Sequence, residues 1–521
     1  MTPVLVHVPT SSRDVRHGTV FLVAILPFLV LALWRLSWGP DASMGDYAQY
    51  LLHARALLEG RSYWDVGYLI HPEAPDIGPS AYPPGLPLAL LPIVALSGLQ
   101  PMVLRLFMLA SAVAFGWVAW RRLARDLPAP AAAVGVGFAL LSIEIQGGTM
   151  APVSDLLFGV VLWVLFLVAD SDERWSARRT VVVIALGFAL VSVRLAGAAI
   201  GPALFLFGVI HWHRHGTRPF VGLATWGAAA LVAFTLVHNP YGSSLSHHLR
   251  DAERKLHFLV AAYRYALFDA ELYPFGRKAL DQAWHILATV LMLTGGITVL
   301  RRLRCSLVTC FLVAYAIMLV VVRQSDGRFL WPMLPLVGAA IAVGLTNVVA
   351  FLHQRNPGPH PPAFSRLAVG LSAVLLLMAL GRELGATRPF AITGTPDSDA
   401  LYAFLRVERA RGLARAMYYN PRVLTLYSGV PAMGVLDRTT PGQMMAIDEE
   451  HLTHVVWQRR DVSNCLQRIL NAVPERYPGR FDLVFENRTF RVYRVRAAAT
   501  PFVAPFAALD WRYPPTNCDA T

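Results

Sequence analysis

Over 521 residues the sequence is 55% hydrophobic and only 15% charged, where a soluble domain carries about 25% charged residues. With a mean hydropathy of +0.47 this excludes a soluble globular protein. The net charge of +13 does not point to nucleic acid, because the basic residues sit mostly in short loops between apolar runs.

The chain begins with a few basic residues, Arg13 and Arg16, before an apolar run at Val20–Trp38. That run is long for a signal-peptide core and lacks a clear small-residue cleavage site, so it reads as a retained first span. Further spans are expected at Val103–Trp120, Ala131–Ile145, Leu156–Val168, Val181–Val193, Ala196–Ile210 and Val221–Val237. Four more are expected at Ile286–Leu300, Leu307–Val322, Leu330–Ala350 and Leu367–Leu380, which makes about eleven. With the N-terminus in the cytoplasm, the arginine clusters at Arg121, Arg122 and Arg125, at Arg174, Arg178 and Arg179, and at Arg301, Arg302 and Arg304 share one side. Arg214, Arg218, Arg355 and Arg366 join them, as the positive-inside rule requires. This holds only if the short run Leu86–Leu99, which contains Pro87 and Pro92, lies at the interface instead of crossing.

Two loops, Gly39–Pro101 and His238–Gln282, and the tail Arg382–Thr521 then face outward. The fold class expected is a polytopic α-helical membrane protein of about eleven transmembrane helices with a small extracytoplasmic C-terminal α/β domain. Its parts are a membrane domain over 1–385, including a first outward loop at 39–101 with interfacial helices, and the C-terminal domain over 386–521. In the latter, Val423–Tyr427, His454–Trp457, Phe481–Phe485 and Phe490–Val495 read as strands, the last two as a hairpin turning at Asn487-Arg488. Ala400–Leu413 and Asn464–Val473 read as helices. None of the four cysteines has metal-ligand spacing, and Cys465 and Cys518 share the oxidising side where a disulfide can form.

The first loop carries the sharpest chemical signal. In GDYAQYLLHARALLEG, Asp46, Tyr50 and His53 recur at i, i+4 and i+7, on one face of a short amphipathic helix. A carboxylate held at the lipid–water boundary suits chemistry between a lipid and a polar substrate. The competing reading of Asp46 is structural: Ser43-x-x-Asp46 forms a capping box. His53 taken alone reads as a packed or interfacial histidine, and Asp41, after Gly39-Pro40, as a turn residue. Tyr82-Pro83-Pro84-Gly85 is a turn by its chemistry. Further along, Glu144, Gln146, Ser154, Asp155, Arg194, Asp326 and Arg328 all fall at outward span ends. Ionisable groups there are costly and commonly face a cavity. Arg194 stands out, because its flanks are apolar and it lies on the side where the positive-inside rule disfavours arginine.

The order of the stretches GDYAQYLLHARALLEGRSY, AYPPGLPLALLP, APVSDLLF, SVRLAGAAI and DGRFLWPMLPL, from Gly45 to Leu336, resembles the GT-C superfamily of polyprenyl-phosphate-sugar-dependent glycosyltransferases. The branch it is most similar to contains protein O-mannosyltransferases and aminoarabinose transferases. The family carries a catalytic Asp in its first outward loop, which the resemblance places at Asp46. The family often has two adjacent acids there, whereas here Tyr47 follows Asp46. The resemblance implies an inverting glycosyltransferase that moves a sugar from a polyprenyl-phosphate or diphosphate donor to an acceptor hydroxyl on a glycan, lipid or protein at the outer face. Asp46 is the expected base, Arg194 and Arg328 the expected phosphate contacts, and Tyr50, His53, Tyr82, Glu144 and Asp155 the other candidate substrate contacts. No cofactor, obligatory metal or nucleic acid is expected. The location implied is a bacterial inner membrane. The alternative is a multi-span transporter or lipid flippase, which commonly shows inverted repeats and charges near mid-membrane. Here no repeat is visible and the charges sit at one face.

Overall fold

The computed structural model describes residues 13–36, 45–71, 78–170, 175–215, 218–237, 278–321, 327–355, 370, 393–412, 414–435, 439–459 and 465–497. They fall into two compact units. One comprises Met1–Ser37 with Met102–Thr387, the other Trp38–Pro101 with Arg388–Thr521.

The first unit is helical. Ten of the eleven segments expected as spans are helices: α1 (Arg13–Arg35), α4 (Pro101–Asp126), α5 (Ala129–Leu140), α7 (Ser154–Ala169), α8 (Ala177–Val193), α9 (Ile200–His215), α10 (Arg218–Val237), α11 (Lys278–Arg302), α12 (Leu307–Val321) and α13 (Leu334–Arg355). The eleventh, Leu367–Leu380, lies outside the described residues but for Gly370, as does most of the loop His238–Gln282. Four segments are long and apolar enough to cross a membrane: Gly18–Arg35, Pro101–Asp126, Leu195–His213 and Arg328–Val348. On α11, Ile286, Leu293, Ile297 and Leu300 form an exposed apolar stripe with helical spacing. A face of that kind is stable against lipid, not water. The protein is an integral membrane protein.

Helices in this unit approach closely through small residues, as packing in lipid favours. A Cβ on Gly135 of α5 would stand 2.3 Å from the backbone of Ala339 in α13, so only glycine fits that crossing. Two apolar segments begin irregularly. A 3₁₀ turn at Leu195–Ala199 precedes α9, and another at Gly327–Met333 precedes α13. Both breaks carry a candidate arginine, Arg194 and Arg328.

The second unit joins residues 38–101 to the C-terminal residues. It contains α2 (Gly45–Leu58), α3 (Gly85–Ser97), α14 (Pro396–Ala410), α15 (Pro421–Ser428), α16 (Thr440–Glu449) and α17 (Cys465–Arg476). Its five-stranded sheet is built from β1 (Ala416–Met417), β2 (Ala432–Met433), β3 (His454–Gln458), β4 (Phe481–Glu486) and β5 (Phe490–Val495). The strand order is β2-β1-β3-β5-β4, with β1 parallel to both neighbours and the last two pairs antiparallel. The α/β character, the hairpin β4–β5 and the helices near 400 and 464 agree with the sequence reading. Cys518 and the Cys465 side chain lie outside the described residues.

Two expectations change here. Val423–Tyr427, expected as a strand, is the body of helix α15. Its β-branched and aromatic content is overridden by punctuation: Pro421 opens the helix, and Gly429, in the left-handed region at φ 71°, closes it with its N–H on Thr425 O. Helix α2, expected to be amphipathic and interfacial, has nine buried residues, including Gln49 and His53. It packs between α3 and α15. The compact units break at Thr387 and Arg388, close to the expected boundary, and Trp38–Pro101 groups with the C-terminal residues. The first loop is stitched to the C-terminal sheet: Leu69 bridges Met433 in parallel register, with its N–H on Ala432 O at 2.9 Å. Leu69 also packs against the core of Met417, Met433, Val455 and Leu470.

Candidate active site

In the second unit, Asp46 occupies the first turn of α2, where a negative charge complements the helix N-terminus. Ser43, the other half of the expected capping box, lies outside the described residues. The Asp46 side chain keeps about a quarter of its surface exposed (28%). Its Oδ1 accepts a hydrogen bond from the Tyr82 hydroxyl at 2.6 Å and another from Arg422 Nη1 at 3.2 Å. Arg422 Nη1 also donates to the Tyr82 hydroxyl, so carboxylate, phenol and guanidinium form a closed triangle. Burial, reinforced by the neighbouring Asp46 charge, holds the Tyr82 phenol well above its ordinary pKa and keeps it a donor. The guanidinium also lies over the Tyr82 ring at 4.9 Å and the Tyr68 ring at 5.8 Å.

The turn chemistry of Tyr82-Pro83-Pro84-Gly85 is what brings Tyr82 back over α2. A 3₁₀ turn at Pro79–Ala81 precedes it and α3 follows at Gly85. Tyr50, one helical turn beyond Asp46, meets the Tyr82 ring edge-on at 5.2 Å. His53 continues that face and is fully buried, stacked on Tyr63 with ring centroids 4.0 Å apart. Both of its ring nitrogens are engaged. Nδ1 donates to Tyr63 O at 2.8 Å, and Nε2 accepts from the Gln49 amide at 2.8 Å. Tyr63 in turn donates its hydroxyl to Tyr82 O at 2.7 Å. His53 thus positions the loop that presents Tyr82.

Burial pushes the His53 pKa down to about 4, with Arg422 adding to the effect and the Tyr63 carbonyl opposing it. The unfolded chain therefore binds a proton that the folded protein refuses. Stability present above about pH 6.5 is lost as pH falls toward 4, by on the order of 1–3 kcal/mol. The expected result is a thermal midpoint that drops across this window in wild type and drops less in His53→Gln. Equal slopes for the two proteins would show that His53 does not couple.

The first unit holds a second cluster. Asp155, at the start of α7, is buried, and its Oδ1 accepts from Arg194 Nη1. Arg194 ends α8 where the chain breaks into the 3₁₀ turn, in extended conformation at φ −155° and ψ 134°. Its Nη1 also reaches Ser154 Oγ at 3.5 Å, and its guanidinium lies over the Phe329 ring at 4.8 Å. Asp155 Oδ2 is buried and has no hydrogen-bond partner among the described residues. It is an acceptor oriented and left open beside a cation. Arg328 is half-buried and adjoins Phe329. Glu144 lies on the short helix α6 (Ile143–Gly148), and its side chain is outside the described residues.

Sequence reasoning thus named Asp46, Tyr50, His53 and Tyr82, which the fold assembles, and Asp155 and Arg194, which it pairs. It missed Arg422, which stands 376 positions from Asp46. Asn420-Pro421 signals the helix start, masked by the strand-like composition that follows, but nothing local marks Arg422 as a partner of Asp46.

No family model matches the chain, and no curated protein matches its sequence. Solved structures do match. The archaeal oligosaccharyltransferase AglB from Archaeoglobus fulgidus, in complex with an inhibitory peptide and a dolichol-phosphate, is similar with a TM-score of 0.54 at 12% identity, over 89% of this chain and 72% of that one. ArnT from Cupriavidus metallidurans in the apo state gives a TM-score of 0.51 at 16% identity, over 92% of this chain and 98% of that one. What is shared at such identities is the fold.

Proposed function

We propose that this chain, whose fold is that of the GT-C glycosyltransferase superfamily, is an inverting glycosyltransferase. It moves a sugar from a polyprenyl-phosphate or diphosphate lipid to an acceptor hydroxyl at the outer face of the membrane. Asp46 is the general base. The observation that carries this reading is a first-loop carboxylate, partly exposed and fixed by Tyr82 and Arg422, in a fold whose solved relative AglB is an oligosaccharyltransferase complexed with a dolichol-phosphate.

A lipid phosphate is already a competent leaving group. The chemistry requires a base for the acceptor proton and positive charge for the departing oxygen. Tyr50 and Tyr82 offer an aromatic edge and a phenol to the sugar, and His53 holds their loop. We place the N-terminus in the cytoplasm and the C-terminal α/β residues outside a bacterial inner membrane. The fold supports a transferase over a transporter.

The direct test is sugar transfer by the purified protein from a series of polyprenyl-phosphate-linked pentoses and hexoses, read as release of polyprenyl phosphate. Release above the buffer rate from at least one donor is expected; none across the series would sink the reading. For orientation, a reporter active only in the cytoplasm, fused after Arg496, is expected to stay dark, and a bright signal would reverse the topology.

A further inference from the structure

We propose that Arg422 is an exchangeable clamp: it holds Asp46 in the empty site and transfers to the phosphate of the lipid donor, so that Asp46 is released as a base only when the donor is seated. This rests on the transferase reading and adds a residue and an order of events to it.

The geometry has three parts. First, Arg422 sits at the start of α15, which packs on α2, so its reach to Asp46 is set by helix packing. Second, its guanidinium is largely shielded, with 14% of the side chain exposed, between the Tyr68 and Tyr82 rings. A cation in such surroundings retains an anionic partner strongly, because water does not replace it. Third, Asp46 Oδ1 accepts from Arg422 Nη1 at 3.2 Å, and the same Nη1 also donates to the Tyr82 hydroxyl, so this nitrogen is shared. A phosphate takes a guanidinium by two parallel bonds, a stronger arrangement than a shared nitrogen.

The exchange has a chemical consequence. A carboxylate oxygen occupied by a guanidinium and a phenol is not free to take a proton from the acceptor. Transfer of Arg422 to the donor phosphate opens that oxygen to the acceptor hydroxyl. The acceptor hydroxyl oxygen then bonds the anomeric carbon while the bond from that carbon to the phosphate oxygen breaks. The bonding pair leaves with the polyprenyl phosphate, and the hydroxyl proton passes to Asp46. The phosphate gains one negative charge, which Arg422 is already placed to neutralise.

Competition between two anions for one cation gives an unusual signature. Undecaprenyl phosphate is the probe, and its dissociation constant is measured on the full-length protein in lipid nanodiscs. Arg422→Gln is expected to weaken binding about 10- to 100-fold, the scale of a lost charge-assisted contact. Asp46→Asn is expected to tighten it about 3- to 10-fold, because the competing carboxylate is gone. In the double variant the Asp46 effect disappears, leaving the affinity of Arg422→Gln alone. Unchanged or weaker binding in Asp46→Asn overturns the exchange, as does an Arg422→Gln protein that binds like wild type. Should Arg422→Gln not fold, the Asp46→Asn arm decides by itself. Failure of the transferase reading is separate. It is read from transfer assays, and a protein without transfer activity could still show or lack this affinity pattern.

Discussion

Asp46→Asn is expected to yield a folded protein whose sugar transfer is lower by about 10²–10⁴-fold, the usual cost of losing a general base. Asparagine keeps the size of the side chain and an oxygen that accepts from Tyr82. It also suits the start of a helix. What it loses is the charge facing Arg422 and the capacity to take a proton. The lost ion pair is partly exposed on the Asp46 side (28%), while Arg422 is largely shielded (14%), so a modest stability loss of about 1–2 kcal/mol is expected. The competing view, in which Asp46 merely caps α2, leads to the same modest stability change but to near-normal transfer. One preparation, assayed for thermal midpoint and for transfer, separates the two. Near-normal transfer would remove Asp46 from the chemistry and shift attention to Asp155.

The second large effect is expected at Arg194 and Asp155, and it is an effect on stability. Arg194 read from sequence as a cation for phosphate; in the fold it also holds the Asp155 carboxylate. Asp155 is the deeper partner, at 2% side-chain exposure against 15% for Arg194. Arg194→Gln strands a buried negative charge and is expected to cost about 3–5 kcal/mol. Asp155→Asn strands a cation that still reaches the Phe329 ring and some solvent, and is expected to cost less. The double variant, Asp155→Asn with Arg194→Gln, is expected to be more stable than Arg194→Gln alone, because neither charge is left unmatched. Unfolding midpoints for the four proteins in one detergent form a double-mutant cycle. Additive losses would mean that the two residues do not support each other.

These two sites show what can be read from one sequence and what cannot. The apolar runs are strong one-dimensional signals, and they fold as helices close to where the runs lie. The hairpin was readable for a similar reason. Asn487 is a turn residue whose side chain caps two backbone N–H groups, on Thr489 and Phe490, and the flanking strands alternate. Asp46, Tyr50 and His53 share a face because helical spacing dictates it. The misreadings have a common cause, which is partners remote in the chain. Helix α2 read as amphipathic, yet its polar residues Gln49 and His53 are buried, with the Gln49 amide donating to His53 Nε2. Arg422 could not be singled out among so many arginines, since nothing local distinguishes a cation that meets a carboxylate 376 positions away. The strand-like VLTLY run failed on composition, where the Pro421 and Gly429 boundaries were the better guide.

The bridge between Leu69 and Met433 also sets a timetable. During synthesis the first loop emerges early, but the strand it joins and the arginine that steadies Asp46 come 340 positions after Tyr82. At ordinary translation speeds that is a wait of roughly 20 to 70 s, during which the intervening membrane helices are made. Until then α2 has α3 beside it but lacks α15, its second packing partner, and the Asp46 carboxylate lacks Arg422. A chain cut short anywhere in the membrane part therefore carries the acid without this arginine. Quality control acting on the face of α2 that awaits α15 would recognise an unfinished chain early.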